Sequence, residues 1–167
     1  MSDASQRPDL PRFLAAPFDV GVREIALDED ESRHALTVLR MRSGERAIAV
    51  DLCGHVALGV LEPQPASGRK AAPRAVVRVE RVELVAPPSN PLTLIVAAPK
   101  GPRLDWLVEK CTELGVSRLV LAEFERSVVR VGEGVIERQR RRSAEACKQC
   151  ERAWALEIEG GGTLSDE

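Results

Sequence analysis

The sequence has no tyrosine, and its three phenylalanines and two tryptophans leave aromatics at 3% of 167 residues. Single-strand nucleic-acid binding by stacking of bases on aromatic side chains is therefore not supported. There are two histidines, His34 and His55. No HExxH pattern, Ser-His-Asp order or clustered carboxylate pair occurs, so nothing points to the common hydrolase constellations. The four cysteines, Cys53, Cys111, Cys147 and Cys150, are too few and scattered for a disulfide framework and are expected to be reduced thiols. No apolar run approaches the roughly 18 residues that a membrane helix needs. The N-terminus, MSDASQRPDL, lacks the basic start and apolar stretch of a signal peptide. The expected compartment is the cytoplasm, with no membrane and no metal partner. With 24 Lys+Arg against 26 Asp+Glu the net charge is -2. That excludes a globally basic nucleic-acid coat but not a local basic patch.

What is present places the chain in the globular class: 44% apolar and 30% charged residues, enough for one full domain or two small ones. Only Lys70, Lys100, Lys110 and Lys148 are lysines; the other basic residues are arginines. Arginine forks suit phosphates and base edges, and a coding bias would give the same count. Pro63 to Pro73 is a polar loop. Pro87, Pro88 and Pro91, with Ser89 and Asn90, form a stiff linker, which sets domain bounds at 1–86 and 87–167.

Before the linker, Val20 to Leu27, Arg46 to Leu52, Val56 to Leu61 and Arg74 to Val85 read as strands, with a register shift near Arg81 that marks a bulge. A small helix starts at Asp28, a cap with Glu31 at the third helical position. It places Ala35, Val38 and Leu39 on one face and ends at Ser43-Gly44. Short strands with one helix predict a compact β-barrel.

After the linker, strand and helix alternate, so the fold class is mixed α/β. Leu92 to Ala98 is a continuous apolar run, as a strand buried on both faces requires. Pro102 to Leu114 is amphipathic, with Leu104, Leu107, Val108, Cys111 and Leu114 on one face and Gly115 as the stop. Arg118 to Phe124 is a second strand, giving a βαβ unit with a right-handed crossover. A helix over roughly 135–153 and a short strand at Ala155 to Ile158 follow. Two or three parallel strands cannot be covered on both faces, so a second subunit or further chain is expected to complete this domain.

Cys147 and Cys150 form a CxxC late in a helix, without a second ligand pair, which favours small buried thiols over a redox or zinc site. His34 could serve as a general base or an RNA contact, against a surface or capping role. Arg126, Arg130, Arg138, Arg140, Arg141 and Arg142 form the one pronounced basic cluster, either phosphate-binding or a solvated helix face. Gly160-Gly161-Gly162 lacks the strand–glycine–helix pattern of a dinucleotide loop and the lysine of a P-loop. It reads as a flexible linker before a helix capped by Thr163 or Ser165.

Several blocks carry a resemblance: Pro11-Arg12-Phe13; His34 to Gly44 (HALTVLRMRSG); Pro99-Lys100-Gly101 with Leu104-Asp105-Trp106; Glu109 to Val116 (EKCTELGV); Glu125 to Arg130 (ERSVVR); and Glu145 to Arg152 (EACKQCER). In order and over nearly the whole chain, these resemble the ribosomal RNA small subunit methyltransferase E family. Glu151 stands where that family usually has glycine, and Lys148 where it usually has glutamate. The resemblance implies a PUA-like RNA-binding β-barrel followed by the first half of a SPOUT-type parallel-sheet domain, with the knot region missing. It implies methylation of uridine N3 in 16S ribosomal RNA with S-adenosylmethionine, on the small ribosomal subunit, by a homodimer. The family's cofactor-binding motifs are expected C-terminal to Glu167. It makes Arg126 the catalytic candidate, holding the anion that forms as N3 loses its proton; a structural ion pair with Glu125 or Glu113 is the alternative. Arg12, His34, Arg40, Arg42, Lys100, Arg103 and Arg130 become RNA-binding candidates. An RNA-binding module without activity is the competing expectation.

Overall fold

The computed structural model describes residues 10–65, 72–125, 127 and 129–163. Chain contacts divide it into two compact units, Met1–Ala86 and Pro87–Glu167.

The first unit is a curled five-stranded sheet, a half-barrel. Its strands are β1 (Arg12–Leu14), β2 (Glu24–Ala26), β3 (Arg46–Val50), β4 (His55–Gln64) and β5 (Arg74–Leu84), in the order β1-β3-β4-β5-β2. Strands β1 and β3 are parallel and the remaining pairs antiparallel. Inward residues alternate with outward ones, and Phe13, Ile25, Ala47, Ala49, Leu61 and Val77 close one core. Leu58 pairs with Arg81 while Gly59 pairs with Val79, so Glu80 is the extra residue of a bulge, where the sequence pattern shifted. Gly59 is required there: a Cβ would stand 2.1 Å from the Arg78 carbonyl oxygen.

Asp28 caps helix α1 (Glu29–Arg33), its carboxylate accepting from the Glu31 N–H at 2.8 Å. The expected run to Ser43-Gly44 does not form. A π-helical turn over His34–Val38 follows α1 directly, and the Leu39 N–H bonds to the His34 carbonyl at 2.9 Å. The wider turn rotates the apolar stripe: Ala35 is fully buried, but Val38 and Leu39 are 65% and 44% exposed. Of Val20 to Leu27 only Glu24–Ala26 is strand. The β3–β4 turn is stapled by Asp51, whose buried carboxylate accepts from the Cys53 and His55 N–H groups at 2.8 and 3.1 Å and from His55 Nδ1 at 2.8 Å.

The second unit is a three-stranded parallel sheet, β6 (Thr93–Ala97), β7 (Arg118–Glu123) and β8 (Glu157–Thr163), in that order. Helices α2 (Pro102–Glu113) and α3 (Glu133–Gln149) make the crossovers. Leu104, Val108 and Cys111 of α2 and Ile136 of α3 share one core with Leu119 and Leu121 of β7 and Ile158 of β8. Both helices therefore cover the same face. A buried Thr112–Ser143 hydroxyl pair at 3.0 Å and Gln139 Nε2 donating to Asp105 at 2.8 Å lock α2 to α3. Each such bond contributes about 1 kcal/mol.

Three expectations change here. No described element of this chain covers the opposite sheet face: Ile95 is 51% exposed, and the Arg118–Glu159 ion pair lies on that face. The uninterrupted apolar run of β6 thus meets a helix on one side only. Leu114 is 81% exposed, because it is the C-cap of α2 and Gly115, at φ +81°, has already turned the chain. The third helix starts at Glu133 and ends at Gln149, with Arg152 Nη1 donating to the Thr112 carbonyl at 3.1 Å just beyond it.

Gly59→Ala is expected to destabilise the first unit by about 1–3 kcal/mol, since backbone rather than a movable side chain blocks the new methyl. Urea unfolding of the two proteins measures it, and an unchanged midpoint would refute the close approach.

Candidate functional site: the carboxyl edge of the parallel sheet

Three parallel strands all end at one edge, and open α/β sheets bind ligands there. After β6 comes Lys100, then Arg103 in the first turn of α2; after β7 come Phe124, Ser127 and Arg130. Ser127 closes a tight turn: its N–H bonds to the Phe124 carbonyl and its hydroxyl accepts from the Phe124 N–H, both at 2.8 Å. Arg126, in this same connection, lies outside the described residues. Glu113, the alternative partner named for it, is engaged by Lys110 Nζ at 2.7 and 2.8 Å.

Lys100, Arg103 and Arg130 are exposed and form no ion pair among the described residues. The helical cluster behaves oppositely. Arg138 pairs with Asp105 at 3.3 Å, Arg140 with Glu133 at 3.4 Å, Arg141 with Glu137 at 3.2 Å and Arg142 with Glu109 at 3.0 Å. Asp105 and Glu109 come from α2, which a count along the sequence does not foresee. The four arginines of α3 are thus a neutralised, solvated face, while Arg130 pairs with no acid among the described residues.

In the first unit, Arg40 and Arg42 are exposed and unpaired among the described residues, as are Arg23, Arg74 and Arg81, which sequence reasoning passed over. Arg12 is half-buried. His34 is half-buried, with its ring edge-on to Phe13 at a centroid distance of 6.2 Å, so it packs on the core as well as facing solvent. Nothing in the sequence pattern marks that contact, because Phe13 lies on β1, twenty-one residues before the turn that holds His34.

Gly160, Gly161 and Gly162 are not a linker but belong to β8, and Thr163 ends that strand instead of capping a helix; Ser165 lies outside the described residues. A Cβ on Gly160 would stand 2.7 Å from Ile136 and 2.8 Å from Val131 side-chain carbons. The glycine lets β8 slide under the start of α3, and those side chains fill the space. At Gly160, therefore, side chains of the α3 region occupy the space beside the strand.

The two thiols of the CxxC differ in setting: Cys147 is buried and Cys150 half-buried. Cys147 is fully buried, its thiol 3.7 Å from the Trp154 carbonyl, and Cys150 Sγ is 3.9 Å from the Cys147 carbonyl. Burial, and secondarily the neighbouring Cys150 thiol, push the Cys147 thiol up to about 11, so it stays protonated and unreactive. Burial also raises Cys111. No group of three or more His, Cys, Asp or Glu placed to hold a metal occurs among the described residues.

Residues 86–166 match the model of an RNA methyltransferase domain, and residues 27–63 match an RNA methyltransferase PUA domain. The chain is 32% identical over 139 residues to the ribosomal RNA small subunit methyltransferase E of Mycobacterium tuberculosis, covering 80% of this chain and 50% of that protein. The chain belongs to the ribosomal RNA small subunit methyltransferase E family. Among solved structures, a probable rRNA methyltransferase from Porphyromonas gingivalis shares 30% identity at a TM-score of 0.76, over 92% of this chain and 61% of that one. The Neisseria gonorrhoeae ribosomal RNA small subunit methyltransferase E, bound to S-adenosyl methionine, shares 25% at 0.73, over 93% and 62%. This chain spans about half the length of the curated relatives it matches, 50% and 45% for the M. tuberculosis and Synechocystis proteins. The fold agrees with the resemblance read from the residue blocks.

A thiol whose folded value lies above its unfolded one binds its proton more tightly when folded. Its stabilisation is complete below the unfolded value near 9 and is lost as pH rises toward about 11. The urea midpoint is therefore expected to fall across that window, and Cys147→Ala to flatten the fall. Equal slopes in both proteins would contradict the buried neutral thiol.

Proposed function

We propose that this chain serves the S-adenosylmethionine-dependent methylation of uridine N3 in 16S ribosomal RNA of the small subunit, in the cytoplasm and as a homodimer, with the carboxyl edge of its SPOUT-class sheet turned to the RNA. The observation that carries this reading is the set of uncompensated cations, Lys100, Arg103 and Arg130, at that edge within the residues matched by the RNA methyltransferase domain.

Uridine N3 bears a proton and sits within stacked RNA, so the base must first be exposed. The residues of this chain then have two tasks. Cations at the edge hold the phosphates and fix the base, which converts an encounter into an aligned approach. A cation near uracil O2 or O4 stabilises the anion left when N3 is deprotonated, and Arg126, in the connection after β7, is assigned to it. Arg12, Arg40, Arg42 and His34 of the first unit are assigned further RNA contacts. The donor supplies the methyl group, and none of these residues is assigned to holding it.

The second reading is an RNA-binding module that does not hold the donor. Two measurements separate the readings. Anisotropy of a labelled 16S rRNA hairpin should show binding, and Arg103→Ala should lower the log–log salt slope by about one unit. An unchanged slope and affinity would remove Arg103 from the interface. Isothermal titration with S-adenosylmethionine then decides: heat from this chain, or from a longer chain that continues past Glu167, supports the methyltransferase, and RNA binding without heat in either supports the module.

A further inference from the structure

Trp106 is 61% exposed on α2. The helix itself puts it there. Leu104, Val108 and Cys111 turn to the core and are 3%, 0% and 4% exposed, and Trp106 is two residues, about 200°, around the helix from Leu104. The indole makes no ring contact among the described residues. Single exposed apolar side chains are common and need no explanation. Its neighbours set this one apart. Arg103 lies three positions earlier on the same helical stripe, at a Cβ separation of about 5–6 Å. Arg103 is exposed and unpaired among the described residues, and so is Lys100, two residues before the helix. On the other side Lys110 is neutralised by Glu113 at 2.7 Å and Glu109 at 3.5 Å. Among the described residues of the second unit, the cations nearest the large π-face that lack an acid partner thus lie on the side of the sheet's carboxyl edge. A polyanion with flat apolar groups complements that surface, whereas a protein partner would need a wider apolar surround than the charged outer face of α2 offers.

We infer that Trp106 is a base-stacking platform: a nucleobase of single-stranded RNA lies on the indole while Arg103 and Lys100 take the adjoining phosphates. The inference deepens the RNA-binding reading above and rests on it. It also restores a stacking role that the scarcity of aromatics argued against. One ring at the edge of a cationic surface suffices to hold one base, and such stacking tolerates any base because every base has a π-face.

The test is anisotropy of labelled oligouridine with the full chain across a salt series. Trp106→Ala is expected to weaken binding on the order of tenfold with the salt slope unchanged. Trp106→Phe should keep most of the affinity, because a phenyl ring still stacks. Arg103→Ala should instead lower the slope by about 0.7. Circular dichroism checks that the exposed substitutions leave the fold intact. The platform is overturned if Trp106→Ala binds like the parent, or if Trp106→Phe loses as much as Trp106→Ala. It is also overturned if Trp106→Ala changes the sedimentation coefficient, which would make the indole a contact between copies. If the parent binds neither oligouridine nor the rRNA hairpin, the RNA-binding reading falls and takes the platform with it. If the parent binds and Trp106→Ala is indifferent, the platform alone falls.

Discussion

Parallel pairing around β7 is the constraint on which the second unit depends. Parallel strands cannot be joined by a tight turn; each must be re-entered from the opposite end through a crossover. With β7 between β6 and β8, the connections after β6 and β7 open at one edge, and α2 and α3 start there. Arg130 is distant in sequence from Lys100 and Arg103, yet the ladder delivers it to the same edge. Leu119 and Leu121, fully buried beneath both helices, hold that ladder in place, each worth roughly 2–3 kcal/mol relative to exposure.

Elements set by local patterning were legible in the sequence. The period of Leu104, Val108 and Cys111 marked the buried face of α2, the apolar runs marked β6 and β7, Asp28 marked a cap and the broken alternation near Arg81 marked the bulge. Features set by other parts of the chain were not. Strand β1 has three residues and exists because it pairs with β3. The π-helical turn moves Val38 and Leu39 outward, and a 3.6-residue period cannot register a turn of a different width. The triple glycine looked like a linker by composition. It is a strand because β8 must pass close to Val131 and Ile136, and only a residue without a side chain fits. Likewise, the apolar run of β6 records side chains on both strand faces, whereas helices cover one.

The candidate site shows the same division more sharply, because charge along a chain is not charge on a surface. Helix α3 holds the densest run of arginines, and it is the most compensated: Asp105 and Glu109 reach it from α2, and Glu133 and Glu137 from its own turns. Exposed pairs of this kind are worth about 0–1 kcal/mol each, so they add little stability. Their effect is on the field. A phosphate approaching α3 must compete with a carboxylate already in place, and part of its gain returns as the loss of that pair. A phosphate approaching Lys100, Arg103 or Arg130 displaces only water and counterions, whose release favours binding. On this argument the sparse cations at the sheet edge would be stronger phosphate ligands than the dense ones on the helix. Trp106 stands beside two of them, where an anchored backbone would hold a base against its ring.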